Sequence, residues 1–257
     1  MAARLKRVWP LVVASLIAVA LVPALASGVD PSSAASPRPP RWALHGSYSP
    51  SIDPANFVAA VDNRYFPLKP GTAFHYKGVK GTTPQTDDMV VTHQTKRILG
   101  VTCTVVRDTV SQHGRPLERT FDWYAQDKRG NVWYMGEDSL ELQHGRFLRA
   151  SDSWQAGVNG AKPGIIMRGN PRPGDVYRQE YAPPDALDQA RVLEASGSVK
   201  VPVGAFKRTL TTVEYSPVEP QLERKIYVAG IGEIEEQVTQ GGHERFQLVS
   251  VTHQRLR

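Results

Sequence analysis

The stretch Glu118–Asp138, ERTFDWYAQDKRGNVWYMGED, decides the fold. Two runs rich in apolar and aromatic residues flank Asp127-Lys128-Arg129-Gly130-Asn131. Gly and Asn tolerate positive φ, so this link favours a tight reversal. Its flanks read as two long antiparallel strands. With the two-residue period of a strand, Phe121, Trp123 and Ala125 share one face of the first, while Asp122, Tyr124 and Gln126 share the other. On the second, Val132 and Tyr134 oppose Trp133 and Met135. Neither face is uniformly apolar, which suits a strand pair lining a groove.

Outward from this hairpin the same grammar repeats. Thr72–Lys80, Met89–Arg97 and Gly100–Thr109 read as strands before it, and Leu140–Arg149 as a further hairpin turning at His144-Gly145. After it come Asp175–Tyr181, Arg191–Val201, Gly204–Tyr215, Leu222–Ala229, Ile231–Gln240 and His243–His253, with Gly230 and Gly232 marking a bend. No crossover helix interrupts the series, so the sheet is antiparallel. Ile52–Val61 reads as a short helix with Asp53 as its cap and Pro54 at its first position, where Phe57 and Val61 would pack together. The Gly/Pro-rich Ser153–Gly174 breaks the rhythm but holds Trp154, Ile165, Ile166 and Met167, so it reads as a packed excursion over the sheet. The expected fold is mostly β: a curved antiparallel sheet or partly open barrel, with a short N-terminal helix and a long packed loop.

The chain's start is a processing signal. Arg4, Lys6 and Arg7 precede an apolar run from Val8 to Ala26, and Ala24-Leu25-Ala26 sets up cleavage before Ser27. Residues 1–26 are therefore expected to be a signal peptide, 27–50 a flexible Ser/Pro/Ala-rich linker, and 51–257 one β domain. Localisation is then extracytoplasmic, secreted or periplasmic. Losing three cations with those 26 residues lowers the formal charge from +6 to +3. There is no dense basic track with interleaved aromatics, so nucleic acid is not an expected partner. Cys103 is the only cysteine, in the strand-like Val101–Val105, which excludes an internal disulfide and reads as a buried apolar side chain.

Several strings are distinctive. They are Asn63-Arg64-Tyr65-Phe66-Pro67-Leu68, Asp122-Trp123-Tyr124-Ala125-Gln126-Asp127 and Gly130-Asn131-Val132-Trp133-Tyr134, followed by Gly157-Val158-Asn159-Gly160-Ala161 and Tyr177-Arg178-Gln179-Glu180-Tyr181. Through them the chain resembles a family of uncharacterised exported bacterial proteins. That resemblance brings no catalytic mechanism. The expected architecture also resembles the periplasmic lipoprotein carriers, and this implies a groove for a lipid-like ligand.

Walker, zinc-helix and calcium-loop patterns are absent, and the seven histidines are dispersed, so no cofactor and no metal is expected. Two functional classes remain. The first is a non-enzymatic binding protein for an amphiphile or lipid. Trp123, Tyr124, Trp133, Tyr134 and Trp154 would supply contacts, Asp122 or Arg178 would orient a polar head, and transient membrane contact would follow. The second is an extracytoplasmic glycan hydrolase. Here Asp122 and Glu180, the leading pair within an acidic set that includes Glu118 and Glu137, would do acid/base work, with Tyr124 positioning the substrate. Nothing in the sequence specifies an oligomeric state.

Overall fold

A computed structural model describes residues 38–253. The expected signal peptide and the first part of the expected linker lie outside the described residues. The expected helix over Ile52–Val61 is one 3-10 turn, Pro54–Asn56. The capping chemistry is as read: Asp53 Oδ1 accepts from the Ala55 N–H at 3.0 Å, and Pro54 opens the turn. The length differs because Phe57–Val58 (β1) gains a ladder instead, its residues pairing with Asp127 and Gln126. Phe57 packs on Trp133, ring centroids 6.3 Å apart. Asp62–Asn63 (β2) and Phe66–Pro67 (β3) form a small separate ladder.

The long strands then follow as an antiparallel meander: Thr72–Lys80 (β4), Thr83–Ile98 (β5), Val101–Gln112 (β6), Arg115–Asp127 (β7), Val132–Gln143 (β8) and Arg146–Arg149 (β9). The Ser153–Gly174 excursion is packed, but it enters the sheet rather than crossing it. Trp154–Gln155 (β10) and Lys162–Met167 (β11) both pair with β8. The expected strand over Asp175–Tyr181 divides into Val176–Arg178 (β12) and Glu180–Tyr181 (β13). A second meander completes the chain: Gln189–Val201 (β14), Gly204–Tyr215 (β15), Leu222–Val228 (β16), Gly232–Gln240 (β17) and Glu244–His253 (β18).

Two long-range events turn these meanders into a nearly closed barrel. Strand β18 runs back along β4, with Glu244 opposite Lys80 at one end and His253 opposite Thr72 at the other. The strand order is β12-β14-β15-β16-β17-β18-β4-β5-β6-β7-β8-β11-β13. Its two ends, β12 and β13, are consecutive in the chain, separated by Gln179 alone. The curl that strand twist imposes thus brings the sheet's edges together at one seam, which the covalent chain crosses without a ladder. The seam is pinned from one side, where the N–H groups of Gln179 and Glu180 both donate to the Asp188 carbonyl at 2.7 and 3.2 Å.

Close approach at the seam requires a residue without a side chain on β11. A Cβ on Gly164 would lie 2.2 Å from the Gln179 carbonyl oxygen and 2.7 Å from that of Arg178. Both obstacles are backbone and cannot rotate away. Gly164→Ala should therefore cost about 2–3 kcal/mol, the upper part of the range for overpacking. A guanidinium unfolding midpoint equal to that of the parent would refute this account of the seam.

Alternation sorts the long strands into an inner and an outer face. On β6 and β7 the buried Val106, Asp108, Val110, Glu118, Thr120, Asp122 and Tyr124 turn inward, while Arg107 and Arg119 are exposed. On β16, Glu223, Lys225 and Tyr227 turn inward. Cys103 is buried as expected, and burial pushes its thiol up to about 12, so it stays protonated. No helix among the described residues is long and apolar enough to cross a membrane.

Candidate functional site

The β7–β8 hairpin sits as its sequence dictates. Asp127 Oδ1 accepts from the Arg129 and Asn131 N–H groups at 2.8 and 3.0 Å, while its Oδ2 accepts from Asn131 Nδ2 at 2.8 Å and Trp133 Nε1 at 3.0 Å. Asp127 is thus consumed by the turn. Deeper in, Tyr124 and Tyr134 face each other across the ladder and stack, centroids 4.8 Å apart and planes at 19°. Phe66 meets Tyr124 edge-on at 5.2 Å, and Trp154 meets Tyr134 edge-on at 5.4 Å.

The Tyr134 hydroxyl joins two acids. It lies 2.6 Å from Asp122 Oδ1 and 2.8 Å from Glu137 Oε2. A hydroxyl has one proton to donate. When it donates to one carboxylate, the other must itself be protonated to complete a second bond. Burial, reinforced by the charge of Asp108, holds Asp122 well above the usual carboxylate range and so favours that proton.

This triad is one corner of an acidic interior. Among the described residues fourteen carboxylate side chains are buried, Asp87, Asp108, Glu118, Glu214, Glu223, Glu233, Glu236 and Glu244 among them. Only two buried cations accompany them, Arg178 and Lys225. Lys225 Nζ lies 3.1 Å from Glu236, 3.6 Å from Glu223, 3.7 Å from Glu214 and 3.9 Å from Glu233. Burial pulls its pKa down, but those four acids more than offset this and raise it. Burial likewise raises Asp87, with repulsion from Asp108 adding to it, and raises Glu223 and Glu233. No cluster of three or more His, Cys, Asp or Glu among the described residues has metal-holding geometry.

The residues singled out from sequence fall in four places. Asp122, Tyr124, Tyr134 and Trp154 meet in the interior, and Glu180, also buried, acts on the same Tyr134 through its charge. Trp123 lies on the opposite face, its ring covered by the Lys96 ammonium at 3.2 Å. Trp133 lines a surface depression of about 370 Å³ with Phe57, Lys128 and Arg129. Arg178 stands apart at the seam. Sequence reasoning passed over Lys225, although alternation through Glu223, Lys225 and Tyr227 puts it on the face that the tyrosine marks as buried.

At the seam the segment before Pro50 lies across β12 and β14. Arg178 Nη2 donates to the Leu44 and Gly46 carbonyls at 3.3 and 3.2 Å. Gln189 receives the Leu44 N–H on Oε1 and donates Nε2 to the Leu44 carbonyl. Lys162 Nζ donates to the Tyr48 carbonyl, and Trp42 meets Tyr215 edge-on at 6.5 Å. The Arg178 guanidinium rests 5.3 Å from the Tyr181 ring centroid and 5.8 Å from that of Tyr48. Burial pushes the Tyr48 hydroxyl up to about 12, with Arg178 pulling the other way. Between segment and seam lies a cavity of about 280 Å³, walled by Leu44, Pro183, Leu187, Tyr215 and Pro217, with Arg178 and His45 also lining it.

No protein-family model matches the chain, and no curated protein matches it. Two solved structures are similar at a distance. One, by name an exported protein with a YmcC-like fold from Bacteroides fragilis, is 14% identical over 73% of this chain and 98% of its own, with a TM-score of 0.38. The other, by name a lipoprotein from Parabacteroides distasonis, is 10% identical over 74% of this chain and 99% of its own, with a TM-score of 0.41. At these values the likeness assigns no activity and no ligand.

Proposed function

We propose that the chain is an extracytoplasmic binding protein for an amphiphile with an anionic head, taken up at the seam. The observation that carries this reading is the seam cavity itself. Its wall of Leu44, Leu187, Pro183 and Pro217 suits an apolar tail, and the buried Arg178 guanidinium suits an anionic head. A mostly apolar cleft with a few convergent polar groups is the usual form of a small-ligand site. The barrel interior suits an acyl chain less well, because a tail cannot satisfy the carboxyl groups that line it. In this reading Tyr124, Tyr134 and Trp154 are a packed layer, and Asp122 and Glu180 are structural acids rather than a catalytic pair.

The test uses dodecyl phosphate and dodecyltrimethylammonium as probes on the chain from Ser27 onward, which holds every described element. Saturable binding of the phosphate, and not of the ammonium, is expected. Leu187→Trp fills the cavity while leaving Arg178 in place, and should weaken phosphate binding at least about tenfold, equivalent to 1.4 kcal/mol. Equal binding by the folded Leu187→Trp variant would remove the site. Arg178→Met should lose the preference for the anion.

A further inference from the structure

The acidic residues of this chain are mostly inside, and that leaves an outer surface far more basic than the formal charge indicates. Fourteen carboxylate side chains are buried among the described residues against two cations. One place on this surface sets exposed apolar side chains beside arginines. The β8–β9 hairpin, Leu140-Glu141-Leu142-Gln143-His144-Gly145-Arg146-Phe147-Leu148-Arg149, carries Leu142 at 38% and Leu148 at 47% exposure. Leu142 lies opposite Phe147 across the ladder, and Leu140 lies between Arg149 on β9 and Arg119 on β7. The Arg119 guanidinium sits 4.4 Å from the Phe147 ring centroid. Arg146 and Arg149, both exposed, bracket Phe147 and Leu148. Arg149 alone of these arginines is held by an acid, with Nε 2.6 Å from Asp138.

We infer that this hairpin docks the protein onto an anionic phospholipid bilayer, its exposed end entering so that Leu142 and Phe147 on one face and Leu148, opposite Glu141, on the other reach the interface, with Arg119, Arg146 and Arg149 meeting the headgroups. Three features choose this occupant. The charge is complementary, and the basic groups stand beside the apolar ones, the arrangement by which interfacial segments bind membranes. A soluble polyanion would engage the arginines but give nothing in return for the exposed leucines. A protein strand adding to the β9 edge is discouraged by arginines at both its ends, since edge charges oppose strand pairing. This surface is separate from the seam cavity and does not depend on its having a ligand.

The experiment is co-sedimentation of the chain from Ser27 with vesicles of phosphatidylcholine, alone or with 30% phosphatidylglycerol. Binding should require phosphatidylglycerol and weaken as salt rises, because exposed charges are screened. Arg119→Glu with Arg146→Glu should lower partitioning about tenfold or more, given the usual contribution of each cation at an anionic surface. Leu142→Ser with Leu148→Ser, at exposed positions that should leave folding intact, should lower it several-fold at unchanged charge, consistent with the apolar share of interfacial binding. Leu187→Trp at the seam should leave it unchanged. Equal binding to both vesicle types would overturn the proposal. So would loss with the arginine pair but not with the leucine pair, which would mark a general polyanion surface instead.

Discussion

Thermal unfolding should move to lower temperature as pH rises from 5 to 8, by roughly 10 °C, against the usual expectation that a protein with many carboxylates weakens in acid. The cause is the buried interior. Burial pushes Asp108 up to about 6 and Glu244 up to about 7, from ordinary values of 3.8 and 4.5. Glu236 adds to the rise in both, and Lys80 opposes it at Glu244. A carboxyl whose folded pKa is raised binds its proton more tightly in the native state. Its contribution is fully present below the unfolded pKa and is lost as pH climbs through the folded one, here between about 4 and about 7. At about 1.4 kcal/mol per unit, the two groups together account for about 3–5 kcal/mol once their coupling is allowed for. For a domain of this size each kcal/mol moves the midpoint by about 2–4 °C. Asp108→Asn, which keeps the shape and removes one of the two titrations, should make the profile shallower, with the remaining slope due to Glu244. A midpoint that is level or rises from pH 5 to 8 in the parent would mean that these acids are hydrated and ordinary.

What was legible in the sequence, and what was not, divides along the range of the interactions. The β7–β8 hairpin was readable because its signals are local: alternation through Asp122, Trp123 and Tyr124, and a Gly-Asn reversal that Asp127 ties together. The bounds of β15 through β18 followed for the same reason. The seam was not readable. Tyr177-Arg178-Gln179-Glu180-Tyr181 looks like one strand, and its division at Gln179 exists only because the far edges of the sheet meet there. The segment before Pro50 hid its contacts for a different reason. It is held by the backbone groups of Leu44, Gly46 and Tyr48, and a backbone carbonyl leaves no mark on side-chain composition. The expected helix failed because its caps were real but a ladder with β7 outweighed a second turn. Asp122 and Glu137 were visible as acids near strands. That they share one tyrosine hydroxyl required the register of two strands and the bulge at Gly136, where φ is +128°.

The one buried ammonium among the described residues, that of Lys225, sets the last prediction. Lys225→Met should destabilise the fold by about 3–5 kcal/mol near neutral pH, the cost of removing one member of a buried ionic cluster and leaving the others uncompensated. The methionine fits the space, so the loss reports charge rather than a cavity. Glu214, Glu223, Glu233 and Glu236 then face one another with no cation between them, and each can relieve the repulsion only by taking up a proton. The deficit should consequently shrink at pH 5, where protons are available, and grow at pH 8. A second substitution separates this mechanism from general disruption. Glu236 makes the shortest contact with Lys225, at 3.1 Å. Glu236→Gln alone should destabilise by lowering the compensation around Lys225, yet added to Lys225→Met it should restore part of the loss. The pair should be non-additive by at least about 1 kcal/mol, as expected for residues in one buried network. Additive costs, or a Lys225→Met deficit independent of pH, would show that the four acids do not depend on this lysine. A pH-dependent deficit that Glu236→Gln relieves would identify Lys225 as the counter-charge that lets an acidic interior close.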